Sequence, residues 1–190
     1  MISIIAFTGY KGSGKNTCAD FLDGQQISFA YKLKEVCHRA FPLGEKPKSL
    51  KDKEKRWLHP IEFDDTAARI IEEAYNVKIS SKHKGALLKS LRQVYQYTGT
   101  EVLRDIDSMI HCKHLVFKEG VNLVTDLRFC NEYCFLKGLG AEMYYVDRGL
   151  INVDKHASEA EIDYFRDLIP WINNRGSLND LRRSTLQTQA

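Results

Sequence analysis

Several protein classes are excluded by what these 190 residues lack. Only five cysteines occur (Cys18, Cys37, Cys112, Cys130 and Cys134), an odd number at irregular spacing, so no disulfide framework is expected and a reducing, intracellular compartment is. No stretch reaches the eighteen or so apolar residues of a membrane span. The opening MISIIAFTGYKG has no basic n-region, so no secretory leader is expected. Charge of one sign is also missing. Lys+Arg is 28 against Asp+Glu 25, a net +3, too mild for a duplex-DNA binder and suited to a protein that handles small anions. Only four prolines interrupt the chain, and no internal repeat or low-complexity tract appears. The 43% hydrophobic content is enough for a real core, so one domain over 1–190 is expected, soluble and cytoplasmic.

Short apolar runs alternate with helical periodicity. Ile2 to Thr8 is β-branched and nearly all apolar, as in a strand buried on both faces. Helical sequence follows from Lys15 to about Asp23, then a short strand at Gln26 to Ala30. Leu33, Val36, Cys37 and Ala40 have helical spacing, closed by Pro42 and Gly44. The lysine-rich stretch from Glu45 to Trp57 reads as a solvated loop, the sharper alternative being a flap over a phosphorylated ligand. Asp64 is expected to cap a helix carrying Ala67, Ile70, Ile71, Ala74 and Tyr75. Leu87, Leu88, Leu91, Val94 and Tyr95 form the next stripe. Gly99 is expected to break it, and Thr100 to cap a helix containing Val102, Leu103 and Ile106. Strands are expected again at Val121 to Thr125, Glu142 to Val146 and, despite Pro170, Leu168 to Ile172. Helices are expected at Asn131 to Lys137 and Ser177 to Leu186. This alternation predicts an α/β fold, a central parallel sheet of about five strands flanked by helices.

The strongest motif is Gly9-Tyr10-Lys11-Gly12-Ser13-Gly14-Lys15-Asn16-Thr17, placed between strand and helix. Glycines let backbone N–H groups turn toward phosphate oxygens, so Lys11, Gly12, Ser13, Gly14, Lys15, Asn16 and Thr17 are candidate contacts to the phosphates of a nucleotide. Lys15, expected as a surface-facing charge, would reach the β and γ phosphates. The usual hydroxyl after the lysine is replaced by Asn16 and comes one residue later, at Thr17. Few direct Mg²⁺ ligands are therefore expected, with Thr17 and, indirectly, Asp126 as candidates.

A second constellation is Thr125-Asp126-Leu127-Arg128. A carboxylate at the carboxyl end of a buried strand can hold Mg²⁺ through water or orient a nucleophile, and an arginine two residues on can clamp phosphate. A third is Arg92, Gln96, Thr100 and Arg104. Arg92 and Gln96 lie one turn apart, where they can meet a monophosphate and its base, or simply coat an amphipathic helix. His111, Cys112, His114, Cys130 and Cys134 lack paired CxxC spacing, and no zinc site is expected.

The ordered pieces GYKGSGKNTCADF, FAYKLK, RQVYQYTGTEVLR, TDLRFCNE, GAEMYYVDR, HASEAEI and INNRGSLNDL resemble the bacteriophage deoxynucleoside monophosphate kinases, P-loop proteins. That resemblance implies a P-loop kinase fold with a mobile lid, ATP as co-substrate, Mg²⁺, and a deoxynucleoside monophosphate as acceptor. It implies catalytic roles for Lys15, Asp126, Arg128 and Arg148, the last on the lid side. Asn174 and Gly176 would lie beside the donor adenine. Lys34, Arg92, Gln96, Thr100, Arg104, Arg128, Asn131 and Glu132 would meet the acceptor. The stretch 42–85 matches none of these motifs and is a candidate acceptor-side insertion, and 148–160 a candidate lid. Two rivals remain: a phosphomevalonate kinase-like small-molecule phosphotransferase and a non-catalytic nucleotide-binding module. Partners are small-molecule substrates, with no nucleic acid and no membrane expected, and a homodimer left open.

Overall fold

The computed structural model describes residues 1–44, 50–149 and 161–189. Part of the lysine-rich stretch (45–49), most of the candidate lid (150–160) and residues 156–160 of the HASEAEI piece lie outside the described residues. The strands are β1 Ile2–Thr8, β2 Gln25–Ile27, β3 Ile61–Glu62, β4 Leu87–Leu88, β5 Gly120–Val124, β6 Glu142–Asp147 and β7 Trp171–Asn173. The helices are α1 Lys15–Asp20, α2 Tyr31–Ala40, α3 Leu50–Glu54, α4 Asp65–Tyr75, α5 Leu91–Gln96, α6 Arg104–Ile106, α7 Ile110–Lys113, α8 Cys130–Gly138, α9 Ile162–Phe165 and α10 Leu178–Leu186.

Two compact units result: Met1–Phe29 with Leu115–Ala190, and Ala30–His114. The first is an α/β unit around a five-stranded sheet in the order β2-β5-β1-β6-β7, parallel throughout. β1 sits at its centre, pairing Ile2 to Ala6 with Gly120 to Val124 and Ile5 to Thr8 with Glu142 to Tyr145. Its apolar run is what a central strand covered on both faces requires. Ile5, Phe7, Leu123, Val146 and Ile172 join Cys18 and Ala19 of α1 and Leu181 of α10 in one core cluster. A central five-stranded parallel sheet flanked by helices is the architecture of a P-loop kinase. The register brings the carboxyl ends of β1, β5 and β6 side by side, at the edge where open parallel sheets bind ligands.

Among its described residues the second unit is helical, with the antiparallel pair β3–β4 added. Leu33, Val36 and Cys37 of α2 pack with Ala67, Ala68 and Ile71 of α4 and with Phe63, Val94 and Leu103. α4 starts where expected: Asp64 Oδ1 accepts from Ala67 N at 2.7 Å.

Two local expectations are corrected. Leu87 and Leu88 do not open a helix but form β4, and the helix begins after Ser90, whose hydroxyl accepts from Gln93 N at 3.2 Å. Gly99 does not break the helix. The backbone passes from α5 into a π-helical stretch, Tyr97–Leu103, and on into α6. A Cβ on Gly99 would lie 2.6 Å from Leu33 Cδ2, so glycine here lets α2 approach closely. His111, 5% exposed, shares a 3.1 Å hydrogen bond with the Gly99 carbonyl. A π stretch loosens the regular carbonyl ladder, and a buried ring nitrogen supplies a partner.

Candidate active site

The phosphate-loop motif occupies the turn between β1 and α1. Ser13 N closes the turn onto the Tyr10 carbonyl at 3.0 Å. Gly14 caps α1 at φ +102°, and a Cβ there would stand 2.5 Å from Asn174 Nδ2. Any side chain at this position would be strained and would collide. Asn174 uses the space: its Nδ2 donates to the Ser13 carbonyl at 2.7 Å, so the chain leaving β7 is fastened to the loop. Gly176 lies just before α10, which Ser177 and Asp180 close with a capping box.

Lys15 is not surface-facing. It is 7% exposed, and its Nζ donates to Gly9 O at 2.6 Å and Tyr10 O at 3.0 Å, with Ser13 Oγ at 3.4 Å. The physical reason is plain: an ammonium beside a loop rich in carbonyl oxygens takes those acceptors, since a buried charge must be paired. Asn16 is exposed and Thr17 half-buried in the first turn of α1.

Asp126 and Arg128 follow β5. Asp126 Oδ2 accepts from Ser28 Oγ at 2.6 Å and Oδ1 from Phe29 N at 3.0 Å, so the carboxylate holds the end of the chain leaving β2. Arg128 is half-buried, and its backbone N–H donates to Glu132 Oε2 at 2.9 Å, as does that of Phe129 at 3.2 Å. Glu132 is 2% exposed, and Asn131 Oδ1 accepts from Glu132 N at 2.8 Å. Both side chains thus shape the turn that carries Arg128.

Arg148 follows β6, and its Nη1 donates to Gly12 O at 3.1 Å, which puts a guanidinium on the phosphate loop. Its turn is organised by Asp147. That carboxylate accepts from Gly149 N at 2.9 Å and receives Arg175 through Nε at 2.7 Å and Nη2 at 2.6 Å. Sequence reasoning misses Ser28, Asp147 and Arg175; an acid directly before the arginine at a strand's end is the available signal for Asp147.

The first unit therefore gathers Lys11 through Thr17, Asp126, Arg128, Asn131, Glu132, Arg148, Asn174 and Gly176. Lys34, Arg92, Gln96, Thr100 and Arg104 belong to the second unit. Lys34 is exposed on α2. Arg92 of α5 faces Glu54 of α3 at 3.8 Å, and Arg104 Nη1 donates to Ser108 O at 3.2 Å. The π stretch separates Arg92 and Gln96 from Arg104. One residue added to a helical turn rotates the residues beyond it by about 100° relative to an unbroken α-helix, so a single 3.6-residue stripe does not describe this face.

Among the described residues no cluster of three or more His, Cys, Asp and Glu side chains is placed to hold a metal ion. Nor is any helix among them long and apolar enough to cross a membrane.

No protein-family model matches the chain. The chain is similar to a protein of Acanthamoeba polyphaga mimivirus named "Putative deoxynucleotide monophosphate kinase", with 27% identity over 195 residues covering 90% of this chain and 89% of that one.

Proposed function

We propose that the chain transfers the γ-phosphoryl group of ATP to a deoxynucleoside monophosphate. The observation that carries this reading is the phosphate loop at the carboxyl end of β1, with Lys15 folded into it and Arg148 bonded onto it. The similarity to the mimiviral protein over 90% of the chain supports it.

In the proposed reaction an acceptor phosphate oxygen attacks the γ-phosphorus in line. The new P–O bond forms as the bond to the β–γ bridging oxygen breaks, and ADP leaves with that oxygen's charge. The acceptor is already an anion, so no general base is required. Lys15 leaves its carbonyl partners for the phosphates, and Arg128 and Arg148 neutralise charge around the transferring group. Glu132 and Asn131 set the turn that aims Arg128. Asn174 and Gly176 hold the segment proposed beside the adenine. Lys34, Arg92, Gln96, Thr100 and Arg104 are proposed acceptor contacts. Thr17 and Asp126 are the proposed oxygen donors, the carboxylate acting through water because its two oxygens already accept from Ser28 Oγ and Phe29 N. So few donors suit Mg²⁺, a cation that keeps waters and leans on phosphate oxygens; when bound it would supply neutralisation of phosphate charge.

The test is an ADP-release assay with ATP and a panel of deoxynucleoside monophosphates, ribonucleoside monophosphates and phosphomevalonate. Release dependent on a deoxynucleoside monophosphate is expected. Turnover of phosphomevalonate alone, or ATP binding with no acceptor in the panel, would replace the proposal with one of its two rivals.

A further inference from the structure

Tyr10 stands inside the phosphate loop, yet phosphate binding by backbone N–H groups asks nothing of its side chain. The ring is nevertheless 7% exposed, and the hydroxyl donates to Asp163 Oδ1. Arg166 Nη1 donates to the same hydroxyl at 2.8 Å and lies 3.0 Å from Asp163 Oδ1. Three groups thus close a ring in which the charges of Asp163 and Arg166 cancel. Burial, and then the bond to Asp163, push the Tyr10 phenol above its ordinary range, so it stays a donor. The ring also packs edge-on against Tyr145 at 6.2 Å; Tyr145 packs on Trp171 at 4.8 Å, and Trp171 Nε1 donates to Arg166 O at 3.0 Å. On its backbone side, the Tyr10 carbonyl receives Lys15 Nζ and Ser13 N, both at 3.0 Å. One residue therefore connects the resting place of the lysine to a fixture outside the loop.

The same short segment reaches the other constellation. Glu161 Oε2 accepts from Cys130 N, the first residue of α8, at 2.8 Å. With Glu132 taking the N–H groups of Arg128 and Phe129, two carboxylates hold three successive amides of the turn that carries Arg128. Between these polar ends Ile162 (0% exposed) and Phe165 (2%) are buried, and Phe165 stacks on Tyr133 of α8 at 5.0 Å. The apolar pair already secures the segment to the core. The polar groups are directed at the two loops instead.

We infer that Glu161–Arg166 is a strut that holds the phosphate loop and the Asp126–Arg128 turn in catalytic register, with Tyr10, Glu161, Asp163 and Arg166 as positioning residues. The inference goes beyond the phosphotransfer reading and rests on it for the acceptor readout only. Loops that must present donors to a phosphate lose rate when displaced by even an ångström, and a strut anchored in the core removes that freedom.

The experiment compares Tyr10→Phe, which removes one oxygen and keeps the ring packing, with Glu161→Ala, which removes the acceptor of the Cys130 amide. ATP affinity is measured by calorimetry with Mg²⁺ and no acceptor, and the acceptor KM by ADP release. Tyr10→Phe is expected to weaken ATP binding at least about fivefold and to leave the acceptor KM within about twofold. Glu161→Ala is expected to do the reverse. Adding Asp163→Asn to Tyr10→Phe should leave ATP affinity within about twofold of the weaker single variant, because both changes act on the same Tyr10–Asp163–Arg166 ring. Unchanged ATP affinity and acceptor KM in both variants, whatever the melting temperature does, would overturn the strut. If the wild-type chain binds ATP but turns over no acceptor, the kinase reading fails; the strut then stands or falls on the ATP affinity of Tyr10→Phe and Asp163→Asn.

Discussion

In the unit made of Met1–Phe29 and Leu115–Ala190, the candidate residues stand at the ends of parallel strands whose neighbours fix their height. In Ala30–His114 they stand on helices, and the backbone between Gln96 and Arg104 changes its hydrogen-bonding class midway. Parallel pairing sets position through many long-range bonds, so a residue at the carboxyl end of β1, β5 or β6 has little choice of place. A helix sets position by packing, and one residue inserted into a turn re-aims everything beyond it. The contrast teaches where to expect large catalytic effects from single changes, and where to expect effects on packing first.

The largest effect is expected at Lys15. Lys15→Ala removes the cation proposed to neutralise the transferring phosphoryl group, which costs about 10²–10³ in turnover. It also leaves the Gly9 carbonyl without this donor, so unfolding stability should fall by about 1–3 kcal/mol. Steady-state ADP release and thermal unfolding of the same variant check both parts. Turnover near wild type would remove the phosphate loop from the mechanism.

Arg128→Lys comes next. An ammonium keeps the charge but cannot bind two phosphate oxygens as a planar fork can. The expected loss in kcat/KM for the acceptor is at least about tenfold, or roughly 1.4 kcal/mol. Because the Glu132 bonds go to backbone amides, the turn should survive, and the melting temperature should barely move. A lowered melting temperature with unchanged kinetics would make Arg128 a structural residue and erase the contrast between the units.

Packing dominates in the second unit. Gly99→Ala places a methyl 2.6 Å from Leu33 Cδ2 and should destabilise by about 1–3 kcal/mol, outweighing the gain in helix propensity. Gly138→Ala at the end of α8 meets no atom within 4 Å and serves as the control, its stability unchanged or raised. Equal denaturation midpoints for the two variants would show that the helix crossing at Gly99 yields easily.

The first unit is readable from sequence because its candidate site is built largely on backbone. Glycines at 9, 12 and 14, a lysine at 15 and an apolar run before them leave few alternatives. The same holds for Asp126 and Arg128 after a buried strand. The features that stay hidden depend on contacts between residues far apart in the chain. Nothing near Tyr10 announces Asp163 or Arg166, and nothing near Asp126 announces Ser28. Lys15 is misplaced by sequence reasoning because its task, reaching a phosphate, is taken for its resting position. In the second unit periodicity itself misleads. Gly99 has the signature of a helix end, and only the close approach of Leu33 and the buried His111 explain why the helix continues there. Leu87 and Leu88 fit the apolar stripe equally well as strand or helix, and pairing with β3 decides between them.

The smallest effect expected is a pH dependence confined to the second unit. His114 Nδ1 stands 3.2 Å from Lys32 Nζ, and its ring meets Tyr75 edge-on at 5.1 Å, while the Lys32 ammonium lies over the same Tyr75 ring at 4.6 Å. Burial, and then Lys32, hold the His114 pKa below its ordinary value. Lys32 is lowered as well, by burial. A neutral His114 can accept from the ammonium; a protonated one cannot, and it sets two cations together. A histidine with a depressed folded pKa takes up its proton in the unfolded chain first. Stability should therefore be flat above about pH 6.5 and decline as the pH falls below it toward the folded value. Asp107, whose pKa is lowered chiefly by the hydrogen bond from Lys113, loses its contribution only at more acid pH, so the two slopes do not coincide. Urea unfolding at several pH values between about 5.5 and 7.5, in wild type and His114→Asn, separates them. The wild type should lose stability toward the acid end while the variant stays level. The same slope in both would place the titrating group elsewhere and leave the Lys32–His114 pair a packing contact.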